Sequence, residues 1–295
     1  GTITSDGGAM ITDQGVCWST NPNPTVADNK TSKDFNSRTK FQSELNGLFP
    51  TTTYYVRAYA KNSAGIAYGN ELSFTTSEIS PIIFNTGLTY GSVTDIDGNK
   101  YKTIRIGTQV WMAENLKTTR YNNGSPIPNV TGDTEWKNLV SGGYCWYNTD
   151  PSNFKDTYGA LYNWYAVIDN SKICPTGWKV PNSAEWKILA SNLGGEGVAG
   201  GKMKETGTAH WISPNGGASN ESGFTGLPGG GRYTGTTSRF LTLGSYGTWW
   251  SSTSSYQGGL GADYFSTDSY SSVGYLSDDW QAFKSSGLSV RCLKE

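Results

Sequence analysis

The sequence predicts two domains of different architecture. We expect an all-β sandwich over residues 1–77, a linker at 78–90, and a larger α+β domain with few helices and many short strands and loops over 91–295. The total length of 295 residues exceeds the usual size of a single hydrophobic core. No helical period occurs in the first 76 residues, and the sequence pattern changes at Gly91. The two-domain prediction rests on this length and on this change.

Composition excludes two classes of partner. Charged residues are 16% of the chain, with 23 basic against 24 acidic residues, so no basic surface for nucleic acid or an anionic membrane is expected. No apolar run approaches the roughly 20 residues of a membrane helix. Residues 1–20 contain no signal-peptide hydrophobic region, and a chain that begins at Gly1 is expected to come from a longer one. We therefore expect membrane association only through an anchor outside this sequence.

The first domain consists of short strands separated by turn clusters such as 6–8, 21–24 and 62–65. In the segment 54–60, apolar side chains alternate with others, as in a half-buried strand. Segments 15–19, 48–56 and 71–76 together resemble bacterial fibronectin type III modules. The resemblance implies a β-sandwich with Tyr54 at a corner. It also implies that the first strand of the module is missing or incomplete here.

Five elements of the second domain are predicted from local signals. Two strands flank a tight turn at Asp97-Gly98, and another strand runs through 109–111. A helix is expected after Pro181, because Asn182 and Glu185 have the spacing of a capping box. The aromatic and apolar spacing over 158–168 predicts a second helix. Residues 199–295 are rich in Gly, Ser, Thr and Tyr, which indicates short strands and long loops.

Several segments of the second domain resemble one family, the Fibrobacter succinogenes major paralogous domain of bacterial surface lipoproteins. They are residues 97–101, 109–116, 158–164, 174–178, 250–253 and 289–292. The resemblance implies an exported protein, located outside the cell or at the outer-membrane surface. Segments 178–186 and 226–230 also resemble the formylglycine-generating enzymes, which implies their variant of the C-type lectin fold. Fold alone does not decide function.

The resemblance also implies a disulfide. It places Cys174 before the main helix and Cys292 on the last strand, two regions that lectin-like folds bring together. An exported protein experiences oxidising conditions, so a Cys174–Cys292 bond is expected. Buried free thiols are the alternative for all four cysteines, and they are the expectation for Cys17 and Cys145.

The sequence offers little for catalysis or metal binding, and we expect no catalytic residue, no metal and no cofactor. His210 is the single histidine, and its aromatic neighbour favours a loop or core role. Asp95, Asp97 and Asn99 alternate as in a calcium loop, yet a hairpin turn fits them better because the distal glutamate is missing. The glycines at 229–231 are interpreted as a turn, since no phosphate-loop motif follows.

The remaining signal is a run of aromatic residues among Ser, Gly, Asp and Thr, a composition typical of binding surfaces. The candidate ligand-binding residues are Tyr256, Tyr264, Tyr270, Tyr275 and Trp280. The alternative is that these rings fill the core. The function expected is non-catalytic adhesion or recognition of a glycan or protein ligand. A relative of the formylglycine-generating oxidoreductases and a structural shaft or filament subunit are the alternatives.

Overall fold

The computed structural model describes residues 1–32, 40–45, 48–235, 238–255 and 259–295, without the side chains of 278–281. The chain divides into two compact units, Gly1–Ile79 and Ser80–Glu295. Both units are rich in β-strands, and the helices described all lie in the second unit. No helix among the described residues is long and apolar enough to span a membrane.

The first unit contains one antiparallel five-stranded sheet. Its strands are β1 (Asp13–Ser19), β2 (Asn29–Lys30), β3 (Thr53–Asn62), β4 (Gly65–Tyr68) and β5 (Leu72–Thr75). Strand β3 is central, with β1 on one side and both β4 and β5 on the other. This strand contains the alternating segment 54–60 that predicted a half-buried strand.

The first unit is sandwich-like, because segments outside the five strands also pair with one another. Thr2 pairs with Lys40 in an isolated bridge, so the N-terminal segment lies beside residues that precede β3. Tyr54 is buried, and its hydroxyl accepts a hydrogen bond from the backbone N–H of Phe49 at 3.0 Å. That bond ties the start of β3 to the loop before it.

The second unit has twelve strands and five helices among its described residues. The helices are α1 (Asp133–Lys137), α2 (Pro151–Tyr158), α3 (Trp164–Val167), α4 (Ser183–Asn192) and α5 (Glu196–Met203). The strands are β6 (Gly91–Thr94), β7 (Lys100–Ile106), β8 (Gln109–Met112), β9 (Tyr144–Cys145), β10 (Leu161–Tyr162), β11 (Trp178–Lys179), β12 (Gly231–Thr234), β13 (Ser238–Leu241), β14 (Tyr246–Ser254), β15 (Gly261–Asp268), β16 (Gly274–Phe283) and β17 (Leu293–Lys294).

Two sheets organise the second unit. Five strands pair in the order β11-β17-β8-β7-β6, which brings the end of the chain beside strands from the start of the unit. Strands β14, β15 and β16 form a three-stranded antiparallel sheet. Two further pairs of strands are β9-β10, whose strands are far apart in the chain, and the hairpin β12-β13.

Buried aromatic rings and a buried arginine form the centre of the second unit. Trp111, Trp186 and Trp249 are fully buried in one apolar cluster. Arg291 is also fully buried, and its guanidinium donates hydrogen bonds to Asn115 Oδ1 and to the backbone carbonyls of residues 112, 224 and 225. Burial lowers the pKa of Arg291 to about 9. These four acceptors stabilise its charge in place of water.

The two helix predictions have different outcomes. The capping box at Asn182 and Glu185 is confirmed, because each side chain accepts a backbone N–H of the other residue at the start of α4. The continuous helix over 158–168 is wrong, since α2 ends at Tyr158 and β10 and α3 follow. Gly159 has φ of 73°, and the N–H of Ala160 donates to Leu116 O instead of continuing the helix. Tertiary pairing thus overrides the local period.

The segment 80–90 differs from the predicted linker because it packs on the second unit. The N–H of Ile83 donates to Glu205 Oε1 at 2.5 Å, and Phe84, Leu88 and Tyr90 pack against the tryptophan cluster. These contacts explain why the second compact unit begins at Ser80 and not at Gly91. The sequence did not predict this packing, because the apolar residues of this segment have no periodic spacing.

Candidate functional site

The β14-β15-β16 sheet has two chemically different faces. One face is apolar and buried, with Trp249, Phe265 and Leu276 in register across the three strands. Phe265 stacks on Trp186 of α4, with ring centroids 4.9 Å apart and ring planes 11° apart. Successive residues of a strand point to opposite faces. Tyr264 and Tyr275 therefore lie on the face away from α4.

Tyrosines from separate chain segments gather on and beside this second face. Tyr246 is on β14, opposite Asp268 of β15, and Tyr233 is on β12. The phenol groups of Tyr264 and Tyr275 interact electrostatically with that of Tyr233, and Tyr246 interacts with Tyr275 and Tyr270. We call the set the tyrosine face, and it comprises Tyr233, Tyr246, Tyr264, Tyr270 and Tyr275. Four members are half-buried, and Tyr270 is 68% exposed.

Burial favours the neutral phenol at three members of the tyrosine face. It raises the pKa of Tyr233, Tyr246 and Tyr264 above the ordinary value, and hydrogen bonds to nearby hydroxyl groups oppose the rise at Tyr233 and Tyr264. A neutral phenol can both donate and accept a hydrogen bond, while its ring offers apolar contact area. The face can therefore contact a ligand that has both apolar and hydroxyl or amide groups.

Hydrogen bonds to Asp268 and from Lys204 fix the turn that carries Tyr270. Asp268 Oδ1 accepts hydrogen bonds from the N–H groups of Tyr270 at 2.7 Å and Ser271 at 2.8 Å. The fully buried Lys204 donates from Nζ to the carbonyls of Gly216, Asp268 and Ser271 at 2.7 to 2.8 Å. An exposed ring on a turn held by these five hydrogen bonds loses little conformational freedom on binding.

The structure brings together three of the five candidate residues. Tyr264, Tyr275 and Tyr270 belong to the tyrosine face, whereas Tyr256 and the side chain of Trp280 lie outside the described residues. Sequence reasoning missed Tyr233 and Tyr246. Each is a tyrosine within a strand, and nothing else in the nearby sequence marks it as a site residue. The pairing of β14 with β15 brings Tyr246 to the same face as Tyr264.

The predicted disulfide is confirmed. Cys174 and Cys292 are bonded, with a sequence separation of 118, while Cys17 and Cys145 are buried free thiols as expected. Burial raises the pKa of the Cys145 thiol to about 12, and the nearby Arg232 opposes this rise. Cys145 is therefore protonated at neutral pH. The sulfur of Cys292 is held in the bond to Cys174.

His210 lies in the core of the second unit. It is 6% exposed, its Nδ1 is 2.5 Å from Glu205 Oε2, and its Nε2 is 2.9 Å from the carbonyl oxygen of Ser80. Its ring also meets Tyr158 edge to face. Because that carbonyl can only accept, Nε2 carries a proton and donates it. The histidine thus fixes the first residue of the second unit.

The acidic turn at 95–99 uses its carboxylates for the hairpin between β6 and β7. Asp95 Oδ1 accepts from the N–H groups of Asp97 and Asn99, and Asp95 Oδ2 accepts from the Tyr101 hydroxyl at 2.6 Å. Asp97 Oδ2 accepts from the N–H and hydroxyl of Thr119. Among the residues described, no group of three or more His, Cys, Asp or Glu side chains could hold a metal ion.

These features define a class of protein: a β-rich module closed by one disulfide, with a partly exposed aromatic face on a rigid sheet. The chain belongs to the Fibrobacter succinogenes major domain family, whose family model matches residues 104–294. The match covers most of the second unit and includes every residue of the tyrosine face. No curated protein and no solved structure matches the sequence significantly.

Proposed function

We propose that this chain is a non-catalytic ligand-recognition or adhesion module of a bacterial cell surface, which binds a glycan or a protein through the tyrosine face. The observation that carries this proposal is the convergence of five tyrosines from three chain segments, with Tyr246, Tyr264 and Tyr275 on one face of the β14-β15-β16 sheet. Partly exposed tyrosines provide rigid contact area with a polar tip, as in antibody binding loops. The buried tryptophan cluster supports the opposite side of the same sheet.

The finer fold assignment belongs to the same proposal. We assign the first unit to the fibronectin type III-like sandwiches, and the bond from the Phe49 N–H to the Tyr54 hydroxyl supports this, because such a corner tyrosine bonds a backbone group a few residues upstream. We assign the second unit to the C-type-lectin-like folds. The pairing of β17 with β8 supports this, since it joins the end of the unit to its beginning.

The proposed location is outside the cell or at the outer-membrane surface. A buried disulfide that closes a long loop suits an oxidising compartment. In this arrangement the first unit acts as a spacer, and an anchor outside this sequence provides attachment to the membrane. The balanced charge of the chain favours neither nucleic acid nor an anionic lipid surface.

Arrays of immobilised glycans and of extracellular matrix proteins test this function with the purified chain. We expect at least one reproducible ligand, and we expect Tyr270→Ala and Tyr275→Ala each to weaken its binding by about 2 kcal/mol, as truncation of an aromatic anchor does. Titration calorimetry gives the affinity of each variant.

Tyr165→Ala is the matched control, because Tyr165 is half-buried on α3 and is no member of the tyrosine face. Its ligand affinity should equal that of the wild type. The proposal fails if the tyrosine variants unfold the second unit while the affinity per folded molecule is unchanged, since the rings would then serve only the core.

A further inference from the structure

A cavity of about 370 Å³ lies beside the disulfide, and it is separate in its lining residues from the tyrosine face. Its apolar wall includes Ile173, Trp178 and Val180, all three of which are buried residues. Its polar lining consists of Asp169, Asn170, Lys172, Lys179, Ser252 and Glu295. A cavity of this size with an apolar wall and several polar lining residues has the general form of a small-molecule site.

Each charged residue that lines the cavity already has a partner within the protein. Lys172 Nζ lies 3.4 Å from Glu295 Oε1, and Lys179 Nζ lies 2.7 Å from Glu185 Oε1. Asp169 accepts a hydrogen bond from the backbone N–H of Ser171 at 2.8 Å. A charged ligand would have to compete with one of these existing partners. The paired charges therefore favour a neutral ligand.

The polar lining also contains both donors and acceptors. Lysine ammonium groups only donate, carboxylates only accept, and the amide of Asn170 and the hydroxyl of Ser252 do both. A purely apolar ligand could not bond to the donor and acceptor capacity that these groups still have, whereas hydroxyl groups can. A sugar ring satisfies both requirements, because its C–H groups suit an apolar wall and each hydroxyl can donate and accept.

The walls of the cavity are held in place before any ligand binds. The disulfide joins Cys174 to Cys292, and the neighbouring residues 178 and 294 pair across β11 and β17. The N–H of Ser252 donates to Pro181 O at 2.9 Å, and the N–H of Glu295 donates to Gly177 O at 3.0 Å. A preformed cavity reduces the entropy lost on binding.

From these observations we propose that this cavity binds a neutral sugar unit of a glycan. The site goes beyond the function proposed for the tyrosine face, since none of the cavity residues belongs to that face. The proposal thus places glycan binding at a defined location in the second unit. A protein ligand for the tyrosine face would leave this assignment unchanged.

Nuclear magnetic resonance of the whole chain tests the proposal. The probes are glucose, galactose, mannose and N-acetylglucosamine, with glucuronic acid and glucosamine as charged counterparts. We expect at least one neutral sugar to shift the indole N–H resonance of Trp178 in a saturable manner at millimolar concentration. The charged counterparts should bind about tenfold more weakly.

Two variants locate the site. Asn170→Trp places a bulky ring at the exposed edge, and Ser252→Leu fills the half-buried wall; each should weaken sugar binding at least about tenfold. Tyr270→Ala should leave sugar binding unchanged, even if it abolishes binding to an array ligand. The proposal is overturned if no neutral sugar shifts the Trp178 resonance, if a charged sugar binds more tightly, or if both cavity variants bind as the wild type does.

Discussion

Arg291 Nε lies 2.7 Å from Asn115 Oδ1, and both side chains are buried in the second unit. The same oxygen accepts a hydrogen bond from Trp249 Nε1 at 2.8 Å, while Asn115 Nδ2 donates to the carbonyl of Tyr158. One amide therefore bonds to groups from three distant parts of the sequence. The charged guanidinium of Arg291 depends on it, because a buried charge without partners is costly.

Replacement of Asn115 by alanine should destabilise the second unit strongly. Asn115→Ala leaves donors of Arg291 and Trp249 unpaired, and we expect a loss of about 3 kcal/mol or more in the free energy of unfolding. Urea denaturation followed by tryptophan fluorescence measures this loss. Asn129→Ala, at an exposed position, is the control and should change stability by less than about 0.5 kcal/mol. Equal effects of both substitutions would contradict the assigned role of Asn115.

Loss of the disulfide should also destabilise the second unit. The bond closes a loop with a sequence separation of 118 residues. The chain-entropy model gives about 4 to 5 kcal/mol for a loop of this length. We expect the double variant Cys174→Ala, Cys292→Ala to lose stability of this order in urea under non-reducing conditions. Cys145→Ala removes a buried free thiol and should cost much less, and the reverse order of the two losses would refute the prediction.

Lys204 should make stability depend on pH. Burial lowers its pKa to about 8 in the folded state, from an ordinary value of 10.5. Between these two values the unfolded chain binds more protons than the folded one, so the free energy of unfolding rises with pH. This term should add about 1.4 kcal/mol at pH ~9 relative to pH ~6.

Urea denaturation of the wild type and of Lys204→Met across this pH range isolates the contribution of the lysine. Other groups titrate in both proteins and cancel in the difference between them. We expect the stability difference between wild type and variant to shift in favour of the wild type as pH rises. A difference that stays constant with pH would show that the lysine keeps its proton in the folded state throughout the range.

Gly159 lies at the break between α2 and β10, and Gly177 is its matched control. Both have positive φ, 73° and 79°, so alanine is strained at either position. A Cβ at Gly159 would lie 2.7 Å from the carbonyl oxygen of Leu116, whereas at Gly177 it would meet nothing within 4 Å. We expect Gly177→Ala to cost about 1 kcal/mol and Gly159→Ala clearly more in thermal or urea denaturation. Similar losses would mean that the backbone relaxes around Leu116.

Local sequence determined those elements whose signals lie within a few residues. The capping box of α4 and the hairpin turn at 95–99 depend on side chains that bond backbone groups nearby, so their spacing alone predicts them. The family resemblance additionally gave the Cys174–Cys292 pair. The helix over 158–168 failed because the chain at Gly159 bonds to Leu116, more than forty residues away.

Tertiary structure alone decided where the candidate sites lie. Tyr246 joins Tyr264 and Tyr275 only because β14, β15 and β16 pair in one register, and a shift of one residue would turn its ring to the opposite face. The cavity combines residues from 167 to 295, which no local pattern connects. The sequence shows which side chains are available for a site. Long-range strand pairing determines which of them come together, and local sequence patterns do not predict that pairing because it depends on contacts between residues far apart in the chain.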